Sequence, residues 1–157
     1  MSGQNRASNN GSEPPGITMI RIMEAILFDG GEKNMMLCGF SRTYSTVNGE
    51  QYVTIGKFWD DMSARYGREN LRGLGFHWTQ NTIEYLIGTK NNDIDKEAAI
   101  KDAIYKEVLL PDEGWMDYDG RTDSLPELYG RVYREGSPDY EIEMFDDNGR
   151  CKVRIHR

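Results

Sequence analysis

Residues 140–146 read Tyr140-Glu141-Ile142-Glu143-Met144-Phe145-Asp146, between Ser137-Pro138-Asp139 and Asp147-Asn148-Gly149. Aromatic and branched residues bounded by turn signals predict a β-strand. Side chains alternate along a strand, so Tyr140, Ile142 and Met144 share one face and Glu141, Glu143 and Phe145 the other. If the second face is enclosed, at least one carboxylate lies in apolar surroundings. A buried carboxylate is costly unless something pairs with it, and a bound cation is one such partner.

Working outward, residues 151–156 form a last strand. Upstream, Ser124-Leu125-Pro126-Glu127 has the Ser-x-x-Glu spacing of a capping box, with Pro in the first turn. Leu125, Leu128, Tyr129, Val132 and Tyr133 make an apolar stripe behind it, and Gly136 ends the helix. Earlier still, Ile55, Trp59, Met62 and Tyr66 are spaced by four, three and four, with Phe58 alongside. That spacing predicts a helix over 51–66, with Gly67 as a left-handed C-terminal cap. Strands are expected over 17–27, 35–44, 72–77, 82–88, 105–110 and 114–121, with turns at Gly30-Gly31 and around 78–81. Residues 91–106 are ambiguous, since Ile94, Ala98, Ala103 and Ile104 partly suit a helix. The polar stretch 1–16 reads as a disordered tail, and 17–157 as one domain.

The order strand, helix, strand, strand recurs. Trp59 to Phe76 is a gap of 17 and Tyr129 to Phe145 a gap of 16; Phe76 to Ile83 and Phe145 to Lys152 are both gaps of seven. The expected fold is therefore α+β: duplicated β-α-β-β units forming a curved antiparallel sheet with two main helices. A groove between the halves is a natural ligand site.

Composition narrows the function. Of 157 residues, 38% are hydrophobic and 29% charged, as in a soluble globular protein. Nineteen Lys and Arg against 26 Asp and Glu give a net charge of -7, which argues against direct nucleic-acid binding. Basic residues near the C-terminus, such as Arg131, Arg150 and Arg154, are interleaved with acids. Cys38 and Cys151 give no disulfide framework, and with His77 and His156 match no zinc spacing. No apolar run approaches a membrane span. A cytoplasmic protein without cofactor or metal, monomeric or weakly dimeric, is the expectation. Gly73-Leu74-Gly75 lacks the setting of a dinucleotide site and reads as strand glycines permitting close approach.

Gly56-Lys57-Phe58-Trp59, Gly73-Leu74-Gly75 and Ile83-Glu84-Tyr85-Leu86-Ile87-Gly88 resemble the first half of the gyrase-inhibitor-like (GyrI-like) small-molecule-binding domain. Ser124-Leu125-Pro126-Glu127-Leu128-Tyr129 and residues 139–146 resemble its second half. The resemblance covers about 20–157. The same domain is the effector-binding module of multidrug-sensing bacterial transcription activators. It implies a duplicated β-α-β-β fold with an aromatic pocket, in which an acid on the penultimate strand attracts lipophilic cations. Ile142-Glu143-Met144-Phe145-Asp146 fits the family pattern best, so that role falls on Glu143; a shift by two selects Glu141 instead. The chain lacks an additional segment for a helix-turn-helix and is similar to stand-alone versions carried on mobile gene cassettes.

Candidates for the pocket lining are Trp59, Tyr85, Trp115, Tyr118, Tyr129 and Phe145, with methionines such as Met62 making the walls adaptable. From pattern alone, Trp59 and Tyr129 equally suit helix–sheet packing, Tyr85 and Tyr118 half-exposed strand positions, and Glu143 a solvated edge-strand charge. The expected function is non-enzymatic binding of cationic, amphipathic small molecules for sensing or sequestration. The alternatives are a hydrolase using the pocket Glu as general acid or base, or a protein-binding inhibitor acting through its outer surface.

Overall fold

The computed structural model describes residues 34–157. The tail expected over 1–16, the strand over 17–27 and the turn at Gly30-Gly31 lie outside the described residues. From there the chain runs β1 (Asn34–Ser45), α1 (Gln51–Tyr66), β2 (Leu71–Phe76), β3 (Thr82–Thr89), β4 (Ile104–Pro111), β5 (Trp115–Arg121), α2 (Leu125–Val132), β6 (Tyr140–Phe145) and β7 (Arg150–His156). Met36–Leu110 and Gly114–Arg157 form one compact unit, which carries everything described below. Of the other unit, Met1–Met35 with Pro111–Glu113, only the ends of β1 and β4 and the turn after β4 are described.

The fold is α+β. The strands make one open seven-stranded sheet in the order β4-β1-β3-β2-β6-β7-β5. The ladders β1–β3, β2–β3, β2–β6, β6–β7 and β5–β7 are antiparallel. The five inner strands bury residues of one face under the helices, whereas the edge strands β4 and β5 are mostly exposed or half-buried. Phe40 of β1, Ile87 of β3, Leu71 of β2, Phe145 of β6 and Val153 of β7 join one core with Phe58, Trp59 and Met62 of α1 and Leu128 and Val132 of α2. The opposite face is also buried at its centre, through Leu37, Leu74, Leu86 and Ile142.

α1 spans the residues its periodicity predicts, with Arg65 in the last turn, where a cation suits the helix dipole. Gly67 does take a positive φ of 83°, but its ψ of 129° lies outside the left-handed helical well, so the cap is extended. Two further expectations change. Ser124 makes no side-chain capping bond, because a 3-10 turn over Thr122–Ser124 carries the chain into α2. Residues 91–103 form turns rather than a helix. Asn92, at φ 56°, accepts from the Cys38 amide at 3.0 Å and donates to the Met36 carbonyl at 2.8 Å, pinning this segment to β1. Ile94 and Ile100 still reach the core. Among the described residues no helix is long and apolar enough to cross a membrane.

Candidate functional site

A cavity of about 470 Å³ lies on the helix-bearing side of the sheet, walled by α1, α2 and strands β3 and β6. At the β2–β6 ladder Gly73 faces Glu143 and Gly75 faces Glu141. Both glutamates line the cavity and are almost fully enclosed, at 5% exposure for Glu141 and 7% for Glu143.

Glycine builds the first half of the site. Tyr85 of β3 is in register with Gly75, while Glu143 is in register with Gly73, so the Tyr85 phenol must pass over β2 to reach the carboxylate. A Cβ at Gly73 would stand 2.1 Å from the Tyr85 hydroxyl and 2.7 Å from Trp59 Cζ2. With no Cβ there, the Trp59 indole donates to the Tyr85 hydroxyl at 2.8 Å, and Tyr85 in turn donates to Glu143 Oε1. Phe145 meets Trp59 edge-on, with ring centroids 4.9 Å apart.

The second half is similar. Tyr133, in the 3-10 turn after α2, donates its hydroxyl to Glu141 Oε1. Its ring stacks on Tyr129 at 6.2 Å. A Cβ at Gly75 would lie 3.3 Å from the Trp78 ring and 3.2 Å from Ile83 Cδ1. His77 has a φ of 51°, which a non-glycine residue rarely adopts. Beyond that turn Trp78 lies against Gly75 in the cavity wall, while the His77 ring bonds Glu84 on the sheet's other face.

The electrostatics follow from burial. Both glutamates are pushed up from 4.5 to about 7 by loss of solvent, which the tyrosine hydroxyls only partly offset. Burial and the adjacent carboxylates push Tyr85 and Tyr133 well above the ordinary phenol range. Arg68 also lines the cavity, 5.7 Å from the Trp59 ring and 5.4 Å from the Phe145 ring, but it pairs with Asp60 at 3.3 Å.

Of the residues expected to form a pocket, the cavity gathers Glu143, Glu141, Trp59, Tyr85, Tyr129 and Phe145. Three lie elsewhere. Trp115 pairs with His156 across the β5–β7 ladder and packs on Tyr140, on the sheet face away from the helices. Tyr118 is on the helix face but at the sheet's edge, beside Val153 and partly buried in the core. Met62 is one turn beyond Trp59 and fully buried in the core. Tyr133 and Trp78 are site residues the candidate set omits. Tyr133 carried a signal, four residues after Tyr129 on the same stripe; Trp78, in a turn, carried none. Among the described residues no group of His, Cys, Asp and Glu is gathered to hold a metal. Comparison of the chain with protein-family models, curated proteins and solved structures finds no match.

Proposed function

We propose that this chain is a non-enzymatic binding module that takes cationic, amphipathic aromatic small molecules into the β3–β6 cavity, for sensing or sequestration. One contrast carries the proposal. The molecule contains a third buried carboxylate, Glu84, and satisfies it fully: Lys106 Nζ lies at 2.5 Å, Ser41 Oγ at 2.5 Å and His77 Nδ1 at 2.9 Å. Burial raises that group, yet these partners hold it below the ordinary carboxylate value. Glu141 and Glu143 have one tyrosine hydroxyl each, and among the described residues no Lys or Arg pairs with either. Lys57 and Arg68 line the same cavity but bond neither carboxylate, so the paired positive charge is one a cationic ligand can supply. Arg68 already stands over the Trp59 and Phe145 rings. The further aromatic walls, Tyr52, Trp78 and Tyr129, can each add about 0.5 to 2 kcal/mol where a ring face meets the cation.

The strand order supports membership of a GyrI-like, duplicated fold. From the β2–β6 seam outward, the sequence β2-β3-β1 on one side matches β6-β7-β5 on the other, with α1 and α2 at equivalent connections. The cavity residues fall on both halves.

The test is a Trp-fluorescence titration with tetraphenylphosphonium and with an uncharged analogue, triphenylphosphine oxide. Glu143→Gln should weaken the cation by about 2 to 5 kcal/mol and leave the neutral compound nearly unchanged. Identical curves for both proteins would reject the proposal. A second reading, hydrolysis of a small molecule, draws on Glu143 being held near about 7 beside the Tyr85 hydroxyl, a range suited to general acid or base work. Mass analysis separates the two, since a binder returns its ligand unchanged.

A further inference from the structure

The two cavity glutamates have matching surroundings. Glu143 faces a glycine, Gly73, takes a tyrosine hydroxyl from Tyr85 and has Trp59 over that glycine. Glu141 faces Gly75, takes the Tyr133 hydroxyl and has Trp78 over that glycine. In each case the missing Cβ leaves room for a ring. In each case one carboxylate oxygen is engaged, and the other has no hydrogen-bond partner among the described residues. The acids are two residues apart on one strand face, so their Cα atoms stand about 7 Å from each other. Each carboxylate is held by its own tyrosine, and the spacing of the two strand positions matches the separation of two charged centres in a small aromatic molecule.

We propose, building on the cation-binding role above, that the ligand is a flat organic dication whose two positive centres lie about 7 Å apart, one at Glu143 and one at Glu141. A single positive charge compensates one carboxylate and leaves the other enclosed with a tyrosine hydroxyl but no counter-charge, which is a costly state when it is ionised. A second centre removes that cost. Trp78 then lies beside the Glu141 centre, and Trp59, whose ring Arg68 also approaches at 5.7 Å, beside the Glu143 centre. A cavity of about 470 Å³ is of the size that holds a two-ring ligand.

The experiment is isothermal titration of the full chain at pH 8.5 and fixed ionic strength with three compounds of nearly one shape. They are N,N′-dimethyl-4,4′-bipyridinium, a dication; N-methyl-4-phenylpyridinium, a monocation; and uncharged 4-phenylpyridine. The dication should bind one per chain and at least about tenfold more tightly than the monocation. Glu141→Gln and Glu143→Gln should each reduce that advantage to about onefold, each variant first shown to be folded by near-ultraviolet circular dichroism. Asp147→Asn, which removes an exposed charge elsewhere, should preserve it, separating site pairing from general attraction to an acidic chain. If both cations bind equally and exceed the neutral compound, the two-centre ligand is wrong and the cation-binding role stands. An advantage untouched by Glu141→Gln also overturns the two-centre ligand. If neither cation exceeds the neutral compound, the cation-binding role falls and takes this inference with it.

Discussion

Glu141 and Glu143 are raised for a reason that also sets their effect on stability. Both titrate near about 7 when folded, against an ordinary value of 4.5. Between those values the folded chain holds protons that the unfolded chain has lost, so stability falls as pH rises, and the loss is complete above about 7. The displacement amounts to about 3 kcal/mol per group. Glu143→Gln should therefore make the unliganded protein up to about 3 kcal/mol more stable than the parent at pH 8.5, and leave it nearly unchanged at pH 4.5. Urea unfolding at the two pH values measures this, and an equal difference at both contradicts it. Tyr85→Phe acts on the same residue from the other side. It removes the donor that lowers Glu143 and leaves the Trp59 N–H without its acceptor. The expected loss is about 1 to 3 kcal/mol, for an unmet buried group. In a double-mutant cycle with Glu143→Gln the two changes should be non-additive, because one hydrogen bond joins them; simple additivity places the hydroxyl away from the carboxylate.

At the level of elements, β2 sets the site by what it lacks. Gly73→Ala forces a methyl against the Tyr85 hydroxyl and Trp59, at 2.1 and 2.7 Å, and both groups are tethered by hydrogen bonds. Gly75→Ala meets Trp78 and Ile83 only at 3.2 to 3.3 Å, where a few tenths of an ångström of adjustment suffices. Gly73→Ala should cost about 1 to 3 kcal/mol by overpacking and weaken cation binding, while Gly75→Ala costs clearly less in both assays. Equal effects would mean that Tyr85 does not cross β2. The sequence carried much of this. The helix over 51–66 and the strand over 140–145 match α1 and β6 because both have strong periodicity and turn residues at each end. Gly73-Leu74-Gly75 was readable as a place of close approach, though not as the path of a phenol. Other parts were not readable. Trp59 and Met62 are both on the buried stripe of α1, and spacing alone does not say which turn meets the cavity. Trp115 and Tyr118 are three apart on one strand, so they point to opposite faces and cannot both line one site. Trp78 enters through the left-handed turn at His77, a backbone choice that no side-chain pattern announces. Residues 91–103 had helix-like spacing, but Asn92 and Asp102 take positive φ and the side chain of Asn92 binds β1 instead.

For the whole molecule, folding and ligand binding act on the same two charges in opposite senses. Burial makes ionised Glu141 and Glu143 a cost to the empty fold, and a cation is attracted only by the ionised forms. Glu84 works against this trend, since it is held below its ordinary value and its contribution is lost as pH falls through its folded value. It faces the other side of β3, however, and is already paired, so it should not respond to the ligand. The ligand-induced gain in stability is therefore a clean readout of the cavity acids. A ligand that binds only the folded state stabilises it by about 2.7 kcal/mol at a hundred times its Kd. At pH 5.5 only about 3% of a carboxylate titrating near about 7 is ionised, which weakens a cation about thirtyfold, or about 2 kcal/mol. At a fixed concentration of tetraphenylphosphonium, the rise in melting temperature should be large at pH 8 and nearly absent at pH 5.5, with its midpoint near the folded value of the glutamates. Glu84→Gln should lower the melting temperature at both pH values without moving that midpoint, whereas Glu143→Gln should flatten the profile. A ligand-induced rise of equal size at both pH values would show that the bound cation rests on the rings alone.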